Sequence, residues 1–166
     1  MDKAKKTVMC HDRLGRLEKV AVEKLKWRPS VYGILFKGTK VLLSPQWDGY
    51  DFPGGGIMIY ETVGEGLKRE FWEETGLRVI SGRLVWVENS FFTPSRSEGY
   101  WHTILMYYLV KQIGGKLSKD NFDEEEKKYA KLARWVEVRD VSRLKFYNPV
   151  DSPKLIREAY KIYKNK

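Results

Sequence analysis

A mixed β-sheet between helices, an α/β (α+β) fold, is what this sequence predicts, and three observations predict it. Residues 62–76 carry a full set of local helix signals. A second helical pattern closes the chain from Ser152. Around them lie short runs of β-branched and aromatic residues broken by Gly, Pro, Asn and Asp, as expected of strands joined by turns. With 166 residues, 42% of them hydrophobic and 14% aromatic, the chain has single-domain size and can bury a core.

The elements follow in order. Thr7–His11 and residues 17–25 read as a hairpin about a turn at 12–15. This arm, residues 1–27, is expected to belong to the same domain as residues 28–166, and to extend the main sheet or pair with a second subunit. Residues 31–36 and 40–44 form a second hairpin about Lys37-Gly38-Thr39. Residues 45–50 are a loop, and 51–59 carry the glycines. Thr62 can cap a helix, Glu65 three residues on completes a capping box, and Gly76 stops the helix. Residues 83–89, 103–111 and 133–138 are strands. Ser152 serves as the next N-cap, with Pro153 at the first helical position. Leu155, Ile156, Ala159, Tyr160 and Tyr163 then make an apolar stripe that reads as core packing.

The chemistry concentrates at the end of the first helix. At about 100° per residue, Glu70 and Glu74 share a face with Val63 and Leu67, and Glu73 lies one step round. Like charges at this spacing repel by roughly 0.2–0.5 kcal/mol per pair on an exposed helix. They also oppose the helix dipole, and burial raises the cost. A hard divalent cation, Mg²⁺ or Mn²⁺, relieves all three effects because it prefers carboxylate oxygens and water. A solvated acidic face paired with lysines is the plainer alternative. Gly54, Gly55 and Gly56 just upstream allow a backbone to approach a metal or phosphate closely.

The segment Gly55-x5-Glu61-x7-Arg69-Glu70-Phe71-x-Glu73-Glu74-x-Gly76-Leu77 resembles the Nudix box, with an aromatic, Phe71, where an aliphatic is more common. Nine specified positions over 23 residues match. Arg28-Pro29-Ser30 and Phe52-Pro53-Gly54-Gly55 resemble the family's lead-in, and Ala133-Arg134-Trp135-Val136 its late strand. The resemblance implies an α/β/α sandwich and a metal-dependent hydrolase that cuts a pyrophosphate link between a nucleoside diphosphate and another moiety. It implies metal ligation by Glu70, Glu73, Glu74 and the backbone carbonyl of Gly54. Arg69 would fix the glutamates by charge-assisted hydrogen bonds, and Glu61 would support the loop or bind a further ion. The general base would be Glu73 or a member of the acidic run 123–126, with Glu126 preferred over Glu125. Arg28, Trp47, Phe91 and His102 are the candidate substrate-binding residues. Trp47 is the best placed for base stacking, and His102 completes a Glu-Asn-x-Phe-Phe … His-x-Ile pattern that the family shares.

The box names the bond, not the molecule. Pro94, 17 residues after Leu77, stands slightly beyond the place where ADP-ribose enzymes carry a proline. The tyrosine of dinucleoside polyphosphate enzymes and the coenzyme A signature are both missing. A nucleotide sugar such as ADP-ribose, or a nucleoside triphosphate, is therefore the expected substrate. Processing of an RNA 5′ end and a non-catalytic ligand sensor are the alternatives. The intact glutamates speak against the sensor. The net charge of +9 allows RNA, but the positive residues are spread along the chain. Prenyl-diphosphate isomerisation would need a cysteine near the site, and Cys10 lies in the arm. No apolar run is long enough to cross a membrane, no secretory signal is seen, and a single cysteine excludes an internal disulfide. A cytoplasmic enzyme acting as a homodimer is expected.

Overall fold

Two β-sheets hold the chain, and the N-terminal arm belongs to the larger one. The structure is a computed structural model that describes residues 6–94, 98–122, 124 and 126–165, with only the backbone of Glu126. Its strands are β1 (Thr7–His11), β2 (Leu17–Ala21), β3 (Leu25–Trp27), β4 (Ser30–Ile34), β5 (Phe36–Lys37), β6 (Lys40–Gln46), β7 (Gly49–Asp51), β8 (Gly54–Gly56), β9 (Leu77–Phe92), β10 (Tyr100–Gly115) and β11 (Arg134–Glu137). Its helices are α1 (Val63–Thr75), the short α2 (Glu126–Tyr129) and α3 (Ser152–Lys164).

The larger sheet runs β2-β1-β9-β10-β4-β8, and β3 pairs with the start of β10. It is mixed: β9 and β10 are antiparallel, while β3 and β4 run parallel to β10. The smaller sheet runs β11-β6-β5, with β7 beside β6. The helices cover opposite sides. On one side Phe71 of α1 presses on Gly33, where a Cβ would stand 2.6 Å from its ring, within a cluster that holds Leu35, Leu42, Leu77 and Val79. On the other side Leu155, Ile156 and Ala159 of α3 pack with Ile34, Phe52, Leu105 and Tyr107. This is the expected α/β/α arrangement. Among the described residues no helix is long and apolar enough to cross a membrane.

Three expectations need correction. The second arm strand does not run through to residue 25. It ends at Ala21, a short turn of 3₁₀ helix follows, and the chain then joins β10 as β3. The strand expected over 31–36 breaks at Leu35, so that β4 serves the large sheet and β5 the small one. The cap of α3 is Asp151, whose carboxylate accepts from the Lys154 amide at 3.0 Å; Ser152 is already helical and donates instead to Asn148 Oδ1.

Candidate active site

Local signals set α1 as the sequence predicts. The Thr62 hydroxyl accepts from the Glu65 amide and the Glu65 carboxylate accepts from the Thr62 amide, which satisfies two of the helix's orphan donors. Gly76 closes the helix in the left-handed region at φ 74°. Between these caps the apolar side of α1 is pinned by Leu67 and Phe71, both fully buried, and this fixes where the glutamates point.

Arg69 organises them. Its Nε donates to Glu61 Oε1 at 2.5 Å and its Nη2 to Glu61 Oε2 at 2.8 Å, a two-point clamp. Nη2 also donates to the Gly56 carbonyl at 2.9 Å. Nη1 meets Glu70 at 2.9 Å and Glu73 at 3.0 Å. The hydrogen bond from Arg69 leads the effects that hold the Glu61 carboxyl below its usual range. Burial instead pushes the Glu70 carboxyl up, against the pull of Arg69.

Glu70 and Glu74 press against the glycine strand β8. A Cβ on Gly55 would stand 2.5 Å from Glu70 Oε2. Glu74 Oε2 accepts from the Gly54 amide at 3.2 Å and from the Ser44 hydroxyl at 3.1 Å. Gly54 has φ 148°, and a Cβ there would meet the Val31 carbonyl at 2.2 Å, so only glycine fits. Glu74 also shares a small hollow with Phe122 and residues 129–131, which include the last residue of α2. The Glu126 side chain, Glu125 and Asp123 lie outside the described residues.

Among the described residues no three acidic, histidine or cysteine side chains stand together as a metal-ligand group; Arg69 reaches Glu61, Glu70 and Glu73 together. The donors nonetheless suit a divalent ion. Glu70 is confined against a backbone too close for any side chain, its charge is only partly offset, and the donor set is all oxygen, as Mg²⁺ or Mn²⁺ requires.

The substrate candidates separate. Arg28 lies on the other side of β8: a Cβ on Gly56 would stand 2.8 Å from its Nη2. Its guanidinium donates to Ser30 Oγ at 3.0 Å and covers the Trp101 ring at 5.0 Å. It belongs to a cavity of about 90 Å³ lined also by His11, Tyr32, Asp51, Phe92, Trp101 and Asn148. Phe91 and His102 are register partners one strand position away, so their side chains point to the opposite face of the sheet. There His102 meets Asn89 Oδ1 at 2.6 Å and the Phe91 ring at 4.6 Å. Trp47 stands apart from both. Its indole stacks on Tyr129 at 4.6 Å and lies under the Arg13 guanidinium at 4.5 Å.

Sequence reasoning missed Asp51, Asn148, Trp101 and His11 as cavity residues. They come from separate elements, and no spacing links them. Burial lifts the Asp51 carboxyl to about 7, opposed by hydrogen bonds from the Phe52 amide and Asn148.

The NUDIX domain family matches residues 26–159. An ADP-ribose pyrophosphatase of Methanocaldococcus jannaschii is 31% identical over 141 residues, covering 82% of this chain and 74% of that protein. An 8-oxo-dGTP diphosphatase of Buchnera aphidicola is 24% identical over 132 residues, covering 75% and 88%. Among solved structures, an ADP-ribose pyrophosphatase from Streptococcus suis superposes with a TM-score of 0.63 at 17% identity, covering 82% of this chain and 92% of that one. The ORF135 protein of E. coli superposes at 0.60 and 18%, covering 89% and 98%. With the box intact, α1 capped as its sequence requires and most of the chain matched, this protein is a member of the Nudix hydrolase family.

Proposed function

We propose that this Nudix pyrophosphohydrolase cleaves the P–O–P link of a nucleoside diphosphate joined to another moiety, with a nucleotide sugar such as ADP-ribose as the leading substrate. One observation carries this: Glu70 and Glu74 are held against the edge strand β8, and a cavity with a cationic wall lies across that same strand. A diphosphate crossing β8 would meet the carboxylates on one side and Arg28 on the other, with its nucleoside end directed into the cavity. The resemblance to the M. jannaschii ADP-ribose pyrophosphatase supports the substrate class, and the resemblance to the B. aphidicola diphosphatase keeps nucleoside triphosphates in view.

Glu70, Glu74, Glu73 and the Gly54 backbone would hold Mg²⁺ or Mn²⁺. The bound ion would neutralise the diphosphate and lower the pKa of an attacking water. The chain's own residues do the rest. Arg69 keeps Glu61 and the box loop fixed and presents Glu70 and Glu73 in one orientation. Glu73, the more exposed of that pair at 34% against 14%, or Glu126 at the start of α2, would accept the proton of the water. Arg28 would stabilise charge developing on the phosphate nearest the cavity.

The same reading makes the protein a cytoplasmic homodimer. Exposed Leu14 and Leu17 on the arm offer apolar surface, and light scattering on the eluting protein would give its mass.

The deciding experiment is product analysis with Mg²⁺ on ADP-ribose, other nucleotide sugars, nucleoside triphosphates and 5′-triphosphate RNA, with Glu74→Gln alongside. AMP and ribose 5-phosphate released by the wild type, and a loss of at least about 100-fold in the variant, are expected. Turnover that survives in Glu74→Gln would overturn the assignment of the carboxylates. Turnover of RNA alone would favour end processing.

A further inference from the structure

We propose that His11, on the N-terminal arm, is a binding residue for the base of the substrate's nucleoside end. This rests on the placement of that end in the cavity beside Arg28. The arm lies before residue 26, where the segment matched to the family begins, and nothing in the family match assigns it a role.

The arm is built into the cavity wall. His11 is the last residue of β1 and pairs in parallel with Phe92 of β9. The Thr93 amide donates to the His11 carbonyl at 3.0 Å, which fixes the backbone. Both ring nitrogens are engaged inside the protein. Nδ1 faces the Asp12 carbonyl at 3.3 Å and Nε2 meets Ser90 Oγ at 2.9 Å. A carbonyl only accepts, so Nδ1 donates to it, and Nε2 is paired with the Ser90 hydroxyl. What His11 offers the cavity is therefore its ring surface and not a hydrogen bond. That surface lies 5.3 Å from the Phe92 ring, tilted by 50°, and Trp101 lines the same space. Aromatic walls with Asp51 and Asn148 at a polar end suit a flat heteroaromatic ring that carries hydrogen-bonding groups on its edge.

The tip of the arm is fastened nearby. Arg13 covers Trp47, a non-glycine residue in the left-handed region at φ 46°. Such a conformation persists only where its surroundings impose it, and Arg13 from the arm, Tyr129 and Tyr147 pack on that indole from three separate segments. The cavity is small, about 90 Å³, and β1 supplies one of its walls through His11, so a base bound there would rest against the arm. Ligand binding and arm position are thereby coupled.

The test is the affinity for AMP and for ribose 5-phosphate, with steady-state kinetics on ADP-ribose, for the wild type and for His11→Ala, His11→Gln and His11→Phe. His11→Ala and His11→Gln are expected to weaken AMP binding and raise KM about tenfold, the size of a lost stacking contact. Here kcat should change less than twofold and ribose 5-phosphate binding should be unaffected. His11→Phe keeps the ring, discards both hydrogen bonds, and is expected to stay within about threefold of wild type. Hydrogen exchange at the β1 amides should change on adding AMP and not on adding ribose 5-phosphate. If His11→Phe falls with His11→Ala while His11→Gln is normal, the bond to Ser90 is what matters and the proposal is overturned. Unchanged AMP affinity in all three folded variants overturns it too, with the proposed function intact. A wild type that neither binds AMP nor cleaves ADP-ribose overturns both.

Discussion

At the scale of single residues, the site is defined by how little room is left around two carboxylates. Glu70 touches the Gly55 backbone where a Cβ would stand 2.5 Å from its oxygen. Gly55→Ala should therefore displace the Glu70 carboxylate, while Gly55 has no positive φ that the substitution would strain. The expected outcome is a fall in kcat/KM of tenfold or more, about 1.4 kcal/mol or more, with a higher Mg²⁺ requirement and little change in Tm. Asp51 permits a second prediction of different sign. Burial raises its carboxyl to about 7, so between its unfolded value near 4 and about 7 the folded protein binds the extra proton. Stability contributed by that proton is present at low pH and is lost as pH rises through this window. Asp51→Asn cannot ionise, and its amide oxygen can still accept from the Phe52 amide and Asn148, which both bond to Oδ1. Its Tm relative to wild type should rise between pH 5 and pH 8, as read by thermal melts in matched buffers. A difference that is flat with pH would show that Asp51 does not titrate in this range.

At the scale of elements, what was legible in the sequence was what neighbouring residues decide among themselves. The Thr62–Glu65 box and Gly76 lie within one short segment, and α1 begins and ends where they say. Thr62→Ala removes one of those bonds and should cost about 1 kcal/mol, or roughly 2–4 °C in Tm for a chain of this size. Activity at 25 °C should be kept, because the glutamates sit at the far end of the helix. Features that depend on distant partners were not legible. Residues 31–36 look like one strand, yet Leu35 interrupts them because β4 must join β10 while β5 joins β6. The strands at 83–89 and 103–111 extend to 16 residues each as β9 and β10, since each lends its partner a ladder that propensity cannot reveal. The cavity follows the same rule. His11, Arg28, Asp51, Trp101 and Asn148 meet only after β1, β7, β10 and the loop before α3 have packed. What surrounds Trp47 was not legible either: its indole packs on Arg13, Tyr129 and Tyr147, and these contacts come from up to 100 residues away.

At the scale of the whole molecule, the net charge of +9 separates a small-nucleotide enzyme from one that works on RNA ends. Positive charge attracts any diphosphate, but screening over about 10 Å at 0.1 M salt confines that pull to groups near the site. Arg69, the cation of the box, is committed to Glu61, Glu70 and Glu73, which leaves Arg28 as the cavity's cation. A substrate that engages one or two local cations should lose little to salt. KM for ADP-ribose is expected to rise only a few-fold between 50 and 500 mM KCl, with kcat nearly constant. A nucleic acid chain laid along the basic surface would release several counterions, and its binding would fall by orders of magnitude over the same range. Parallel salt titrations of ADP-ribose turnover and of 5′-triphosphate RNA binding give the two slopes directly. A shallow slope for ADP-ribose, with weak RNA binding that collapses in salt, fits a charge that serves as a diffuse field around a small pocket. Tight RNA binding that stays measurable at 150 mM, with turnover of the RNA end exceeding that of ADP-ribose, would mean that the surface itself is the recognition element and that the cavity beside Arg28 receives the first nucleotide of a longer chain.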